Sequence, residues 1–231
     1  MKVKIQIPET IKDVVLKDYQ EFARVQAQYK DKEADEHIAQ RMVSIFGNVS
    51  MADLRKVTLD KYEVAVTLIN KLFEEVPTFR HTIEVDGQKF GFIPDLENIT
   101  LGEYVDIDNY IKDPKDWHRF MAVCYRPITM NVKDTYEIEE YNGSERFAEI
   151  MAFASFADCY AAVLFFWTLT DELLSVMTTY LTEESKTTTE DSGQGSPNDG
   201  DGISLSTILQ ARTLLDSNIL QGFRFTPVSL N

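Results

Sequence analysis

The sequence predicts an α+β fold, predominantly α-helical, with one small antiparallel sheet that includes a β-hairpin. Two observations carry this. Most of the chain shows apolar residues at three- and four-residue spacing, the period of a helix with one buried face. The stretch 79–93 instead alternates on either side of a two-residue turn, as a hairpin does. The chain has 231 residues and 44% hydrophobic content, enough to bury a substantial core.

The elements can be justified in order. Val3, Ile5 and Ile7 alternate with polar residues and read as a short strand stopped by Pro8. Leu16 to Tyr29 carries Leu16, Tyr19, Phe22 and Ala23 on one side, an amphipathic helix. A second helix is expected from about Ala34 to Phe46, closed by Gly47 and Asn48 in left-handed geometry. Ser50 with Asp53 resembles a capping box for a short helix, and Thr58 opens a longer one carrying Tyr62, Val66, Ile69, Leu72 and Phe73 and ended by Pro77. Phe79–Val85 and Gln88–Ile93 flank Asp86-Gly87, a turn pair that tolerates positive φ.

Gly91 to Met130 then contains two helix starts and one helix stop. Thr100 and Glu103 form a T-x-x-E capping box, in which each side chain satisfies the other residue's free N–H. Asp113-Pro114 places a capping carboxylate ahead of a proline at the first helical position. Arg126-Pro127 is expected to end that second helix, because proline disfavours helical geometry in the residue before it. Trp117, Phe120, Met121, Cys124 and Tyr125 share one apolar face. Tyr136–Tyr141 alternates with glutamates as a third strand or an extended segment. Ala152 to Leu181 is the longest helical pattern, apolar nearly all round in AAVLFFWTL, which places it in the core or against another subunit. Trp117, Phe120, Cys124, Phe165 and Trp167 are expected to be buried.

The domain organisation follows: 1–181 a mostly helical body, 182–202 an acidic flexible linker, 203–231 a C-terminal docking peptide or helix. The linker TEESKTTTEDSGQGSPNDGDG has six acidic residues, one lysine and no large apolar group, so it cannot bury enough surface to offset chain entropy. Beyond it Ile203, Leu205, Ile208, Leu209, Leu214, Leu215, Ile219 and Leu220 form a second apolar set, ending in GFRFTPVSLN. Partner-binding side chains are accordingly expected at Phe165, Phe166, Trp167, Ile208, Leu209, Leu215, Phe223 and Phe225.

Net charge is −15, which repels nucleic acid and anionic lipid, since phosphate binding relies on clustered Lys and Arg. The most apolar run, Cys159 to Thr170, is flanked by Asp158 and Asp171 and is shorter than the roughly twenty residues of a membrane span. The N-terminus alternates polar and apolar residues and does not read as a signal peptide. Cys124 and Cys159 sit in apolar sequence and read as buried free thiols.

No catalytic, cofactor-binding or metal-ligating residue is assigned. His37 shares a helix face with Glu33, but no second His or Cys pair supports a metal site there. His81 lies on the hairpin, and His118, beside Trp117, reads as a packing or hydrogen-bonding residue. Asp106, Asp108 and Asp113 lack the glycine and distal glutamate of an EF-hand loop and are assigned to capping and a solvated face. Arg126 is expected to bond exposed carbonyls at the helix end it follows. Phosphate-loop and nucleophile-elbow patterns do not occur.

The series ITLGEYVDIDNYI, then Trp117 followed by MAVCYRPIT, then YEIEEYNG and a late Phe/Trp-rich helix resembles a family of uncharacterised proteins from tailed bacteriophages, particularly those of Bacteroidetes hosts. The likeness spans roughly Phe73 to Leu181, with Cys124 where an aliphatic residue is expected. It implies a setting among tail and morphogenesis proteins, in host cytoplasm during infection or in the virion. Its implied partners are other phage proteins (tape-measure, tail or capsid components) or further copies in a homo-oligomer. Two binding roles compete there, a tail-assembly chaperone and a structural virion component. An enzyme or host-defence antagonist stands as the reading from another class.

Overall fold

The computed structural model describes residues 3–29, 35–133 and 135–187, with side chains of the last helix described to Thr170 and at Ser175. Among these are eight α-helices and one four-stranded antiparallel sheet in the order β1-β2-β3-β4, so the fold is α+β and mostly helical. The helices are α1 (Leu16–Gln28), α2 (Asp35–Phe46), α3 (Met51–Leu54), α4 (Leu59–Leu72), α5 (Leu101–Ile111), α6 (Trp117–Cys124), α7 (Glu145–Met151) and α8 (Phe156–Thr187). The strands are β1 (Thr82–Val85), β2 (Gln88–Phe92), β3 (Tyr125–Val132) and β4 (Thr135–Ile138). The described residues fall into two compact units, one ending at Val163 and the other beginning at Leu164. No described helix is long and apolar enough to cross a membrane.

The caps lie where the sequence puts them. Ser50 Oγ accepts from Asp53 N at 3.1 Å, and Thr100 Oγ1 accepts from Glu103 N at 3.2 Å. Asp113 Oδ1 accepts from Lys115 N at 3.0 Å, starting a 3-10 turn (Pro114–Asp116) that runs into α6. The hairpin turn has φ of 51° at Asp86 and 75° at Gly87.

Helix α1 has no side-chain cap. Its first donors reach across the fold: Leu16 N donates to Ala154 O (2.9 Å) and Lys17 N to Ala152 O (2.8 Å). Two carbonyls of the α7–α8 junction thus satisfy amides that a local Ser or Asp would otherwise take. The same junction corrects the expected continuous helix from Ala152. Ala152 caps α7, Phe156 N donates to Val14 O, and α8 starts only at Phe156, then continues through Thr187 into the stretch expected as linker.

Three further expectations are corrected. Val3–Ile7 keeps its alternating exposure but is no strand, because Gln6 N donating to Gly47 O is a single contact with a helix end and not a ladder. At the end of α2 only Asn48 is left-handed among the two closing residues, at φ 47°. Arg126-Pro127 does not end α6 but lies inside β3; the helix stops at Cys124 and the chain turns straight into strand. Pro127 faces Phe90 of β2 and serves the other neighbour through its carbonyl, which accepts from Glu139 N at 2.9 Å, so no donor is missed.

The core of the first unit is a run of touching rings from α1, α2, α6, α8 and the residue that caps α4. Trp117 stacks on Tyr19 (5.5 Å between centroids), Tyr19 meets Phe156 (4.1 Å), Phe156 meets Phe73 (5.5 Å), Phe73 meets Phe46 (5.2 Å) and Phe46 meets Phe22 (5.4 Å). Trp117, Phe120 and Cys124 are fully buried, as expected. Phe165 and Trp167, expected to be buried, are only half-buried; both belong to the second unit.

One sheet face joins this core through Ile83, Phe90, Phe92 and Tyr125, and Phe92 packs edge-on against Tyr125. Arg80 is held just ahead of β1 by two groups. Its guanidinium grips Asp158 at the start of α8 through Nε (2.8 Å) and Nη2 (2.5 Å), and its carbonyl accepts from Tyr125 Oη at 2.7 Å.

Candidate functional site

The sheet's other face carries Gly91 beside Arg126, and there a second buried charge, Glu103, meets the arginine. Glu103 sits on α5 one turn before Ile107, on the helix's buried side, at 4% exposure. Arg126 on β3 is 6% exposed. Arg126 Nη1 lies 2.6 Å from Glu103 Oε1, out of line for a regular hydrogen bond but at full ion-pair distance.

Glu103 Oε2 meanwhile accepts from Thr100 N and Thr100 Oγ1, each at 2.7 Å, so one carboxylate closes the helix cap and balances the arginine. Burial pushes this carboxyl's pKa up, but the Thr100 donors and the Arg126 charge outweigh it and hold Glu103 below the usual carboxylate range.

Tyr141 covers the guanidinium, with Arg126 Cζ 5.5 Å from the ring centroid. Its hydroxyl donates to Asp106, one turn along α5 from Glu103. Burial, and then that carboxylate, raise the phenol's pKa, so it stays a donor. Arg146 pairs with Glu139 beside this segment. Arg126 Nε and Ser144 Oγ are buried without a hydrogen-bond partner among the described residues.

Tyr136 completes the roof. From β4 it reaches over β3 to β2, where its hydroxyl donates to Phe92 O at 2.8 Å with His81 O close by at 3.2 Å. The route exists because residue 91 is glycine: a Cβ there would lie 2.4 Å from the Tyr136 ring and 2.9 Å from Ile138.

The cluster is therefore assembled from the fragments TLGEYVD, YRPI and EEYNG. Sequence reasoning quoted all three and did not bring them together. One signal was available. Glu103 shares the inward register of α5 with Ile107, and a carboxylate there needs a buried cation. Arg126, set in the apolar run VCYRPI, is such a cation, and it serves Glu103 and Tyr141 and not the helix-end carbonyls. The groups answer one another and hold three chain segments together.

The other candidates are dispersed. Phe165 and Phe166 lie edge to face (5.5 Å) on α8, with Trp167 alongside, all half-buried in the second unit. Ile208, Leu209, Leu215, Phe223 and Phe225 lie outside the described residues. His37 is exposed and packs on Tyr29 (4.8 Å), while Glu33 is not described. His81 is exposed, and its ring meets Phe79 edge-on.

Asp108 pairs with Lys112 and Asp113 with Lys115, each on its own stretch of chain. Cys124 and Cys159 are free and buried, with thiol pKa values pushed well up by burial. No three His, Cys, Asp or Glu side chains come together as a metal site among the described residues. No family model, curated protein or solved structure matches the chain.

Proposed function

We propose that this chain is a non-enzymatic binding protein of virion morphogenesis in a tailed bacteriophage, acting as a tail-assembly chaperone for another phage protein in the host cytoplasm. The observation that carries this reading is the convergence of the TLGEY, YRPI and EEYNG fragments on one buried cluster. The resemblance to phage morphogenesis proteins then rests on residues that support each other in space. The net charge of −15 supports the chaperone role, because it keeps a complex with a sticky client soluble. Half-buried Phe165, Phe166 and Trp167 on α8 are the side chains assigned to that client.

The test is quantitative mass spectrometry of purified virions beside a pull-down from infected cells. The expected result is a co-purifying tail protein, the tape-measure chain foremost, with no stoichiometric copies of this chain in mature particles. Stoichiometric copies in the particle would overturn the chaperone role in favour of a structural virion component.

A further inference from the structure

Gln20 on α1 is 3% exposed and reaches the turn ahead of α6. Its Nε2 lies 2.8 Å from Pro114 O, 2.9 Å from Lys115 O and 3.0 Å from His118 Nδ1. The two backbone carbonyls fix which end of the amide faces the turn, since only its nitrogen can donate to them. In the neutral ring with its proton on Nε2, His118 Nδ1 meets that nitrogen with a lone pair and shares its two hydrogens with the carbonyls.

The surroundings favour that state. Burial weighs most against a charged ring, followed by Arg119 on the same helix, and Arg24 of α1 adds to it. Asp116 and the Lys115 carbonyl pull the other way. Arg119 in turn is engaged by Tyr110 of α5 and feels Glu145 at the start of α7. The balance holds His118 below its ordinary pKa of 6.5. The contact is also well placed to matter, because Tyr19 and Trp117, the chain neighbours of Gln20 and His118, are the stacked pair at the head of the ring core.

We propose that Gln20 and His118 form an acid-sensitive latch between α1 and α6: a proton taken from solvent at His118 Nδ1 sets N–H against N–H at 3.0 Å and loosens that seam. The sign follows from linkage. The unfolded ring, at its ordinary 6.5, takes the proton before the folded ring does. The latch thus contributes fully above that value and is lost as pH falls through it toward the folded one.

His118→Asn tests this, because an asparagine oxygen can accept where Nδ1 did and has nothing to titrate. Between pH 7.5 and 5 the wild-type chain should lose a few degrees of Tm more than the variant. Its amides in α1 and 114–124 should also exchange several-fold faster at pH 5, after correction for intrinsic rates, and the variant's should not. Identical pH profiles for the two chains would overturn the latch.

If the variant does not fold, NMR titration of the wild-type chain decides, with His118 assigned by single substitutions at His37 and His81. A midpoint below 6.5 supports the latch, and one at or above 6.5 overturns it.

Discussion

Around Trp117 the first unit is held by rings meeting rings, whereas around Arg126, a little further along the same chain, it is held by charges meeting one another. The two regions share the turn from α6 into β3, so their difference is not one of location in the fold. Tyr19, Trp117, Phe156, Phe73 and Phe46 form a series in which each ring meets two others or more, with Phe22 continuing it from Phe46. Glu103 also bonds Thr100 and Arg126 lies under Tyr141, but each buried charge is balanced by the other. Ring packing therefore yields gradually when damaged, and ion pairing yields all at once.

The largest effect expected on the ring side is that of Trp117→Ala, about 3–5 kcal/mol by urea unfolding, because a fully buried ring leaves a cavity its neighbours refill only in part. A shift well under 1 kcal/mol would mean that the stack does not organise this region.

On the charged side, Glu103→Gln keeps an acceptor for the Thr100 cap but strands the guanidinium, at about 3 kcal/mol. The sharper measurement is the cycle with Arg126→Met. The double variant should lose markedly less than the two single losses added, since removing both charges abolishes the desolvation that either alone leaves uncompensated. Simple additivity would break the comparison.

Smaller again is Gly91→Ala, about 1–3 kcal/mol, because the new methyl must displace the Tyr136 ring. Placed after Tyr136→Ala, the same substitution should cost clearly less, and equal costs in both backgrounds would mean the ring does not cross the strand there.

The same contrast sets what could be read from the sequence. The ring core was legible because Leu16, Tyr19 and Phe22 on one helix, and Trp117, Phe120 and Cys124 on another, repeat at the helical period, a local property of the chain. Capping at Ser50, Thr100 and Asp113 was legible for the same reason, as was the Asp86-Gly87 turn. β3 was missed because Pro127 carries a strong local signal against regular structure, and only the pairing with β2 and β4 shows that this residue needs no donor there.

The charged cluster was missed because Glu103, Arg126 and Tyr141 are distant in sequence, and no periodicity ties one to another. The half-buried positions of Phe165 and Trp167 escaped for a related reason: an all-round apolar helix does not announce which of its residues are fully covered.

The borrowed cap of α1 carries a consequence for how the chain is made. Leu16 and Lys17 are synthesised early, yet the carbonyls of Ala152 and Ala154 that complete their helix emerge from the ribosome only after the whole sheet. Until then the first helix has bare leading amides and no Phe156 against Tyr19, so it is held in waiting while α5, α6 and the strands pair among themselves. The segment translated first is thus among the last to be locked, and a released chain ending just short of Ala152 should carry a paired sheet and an uncapped first helix.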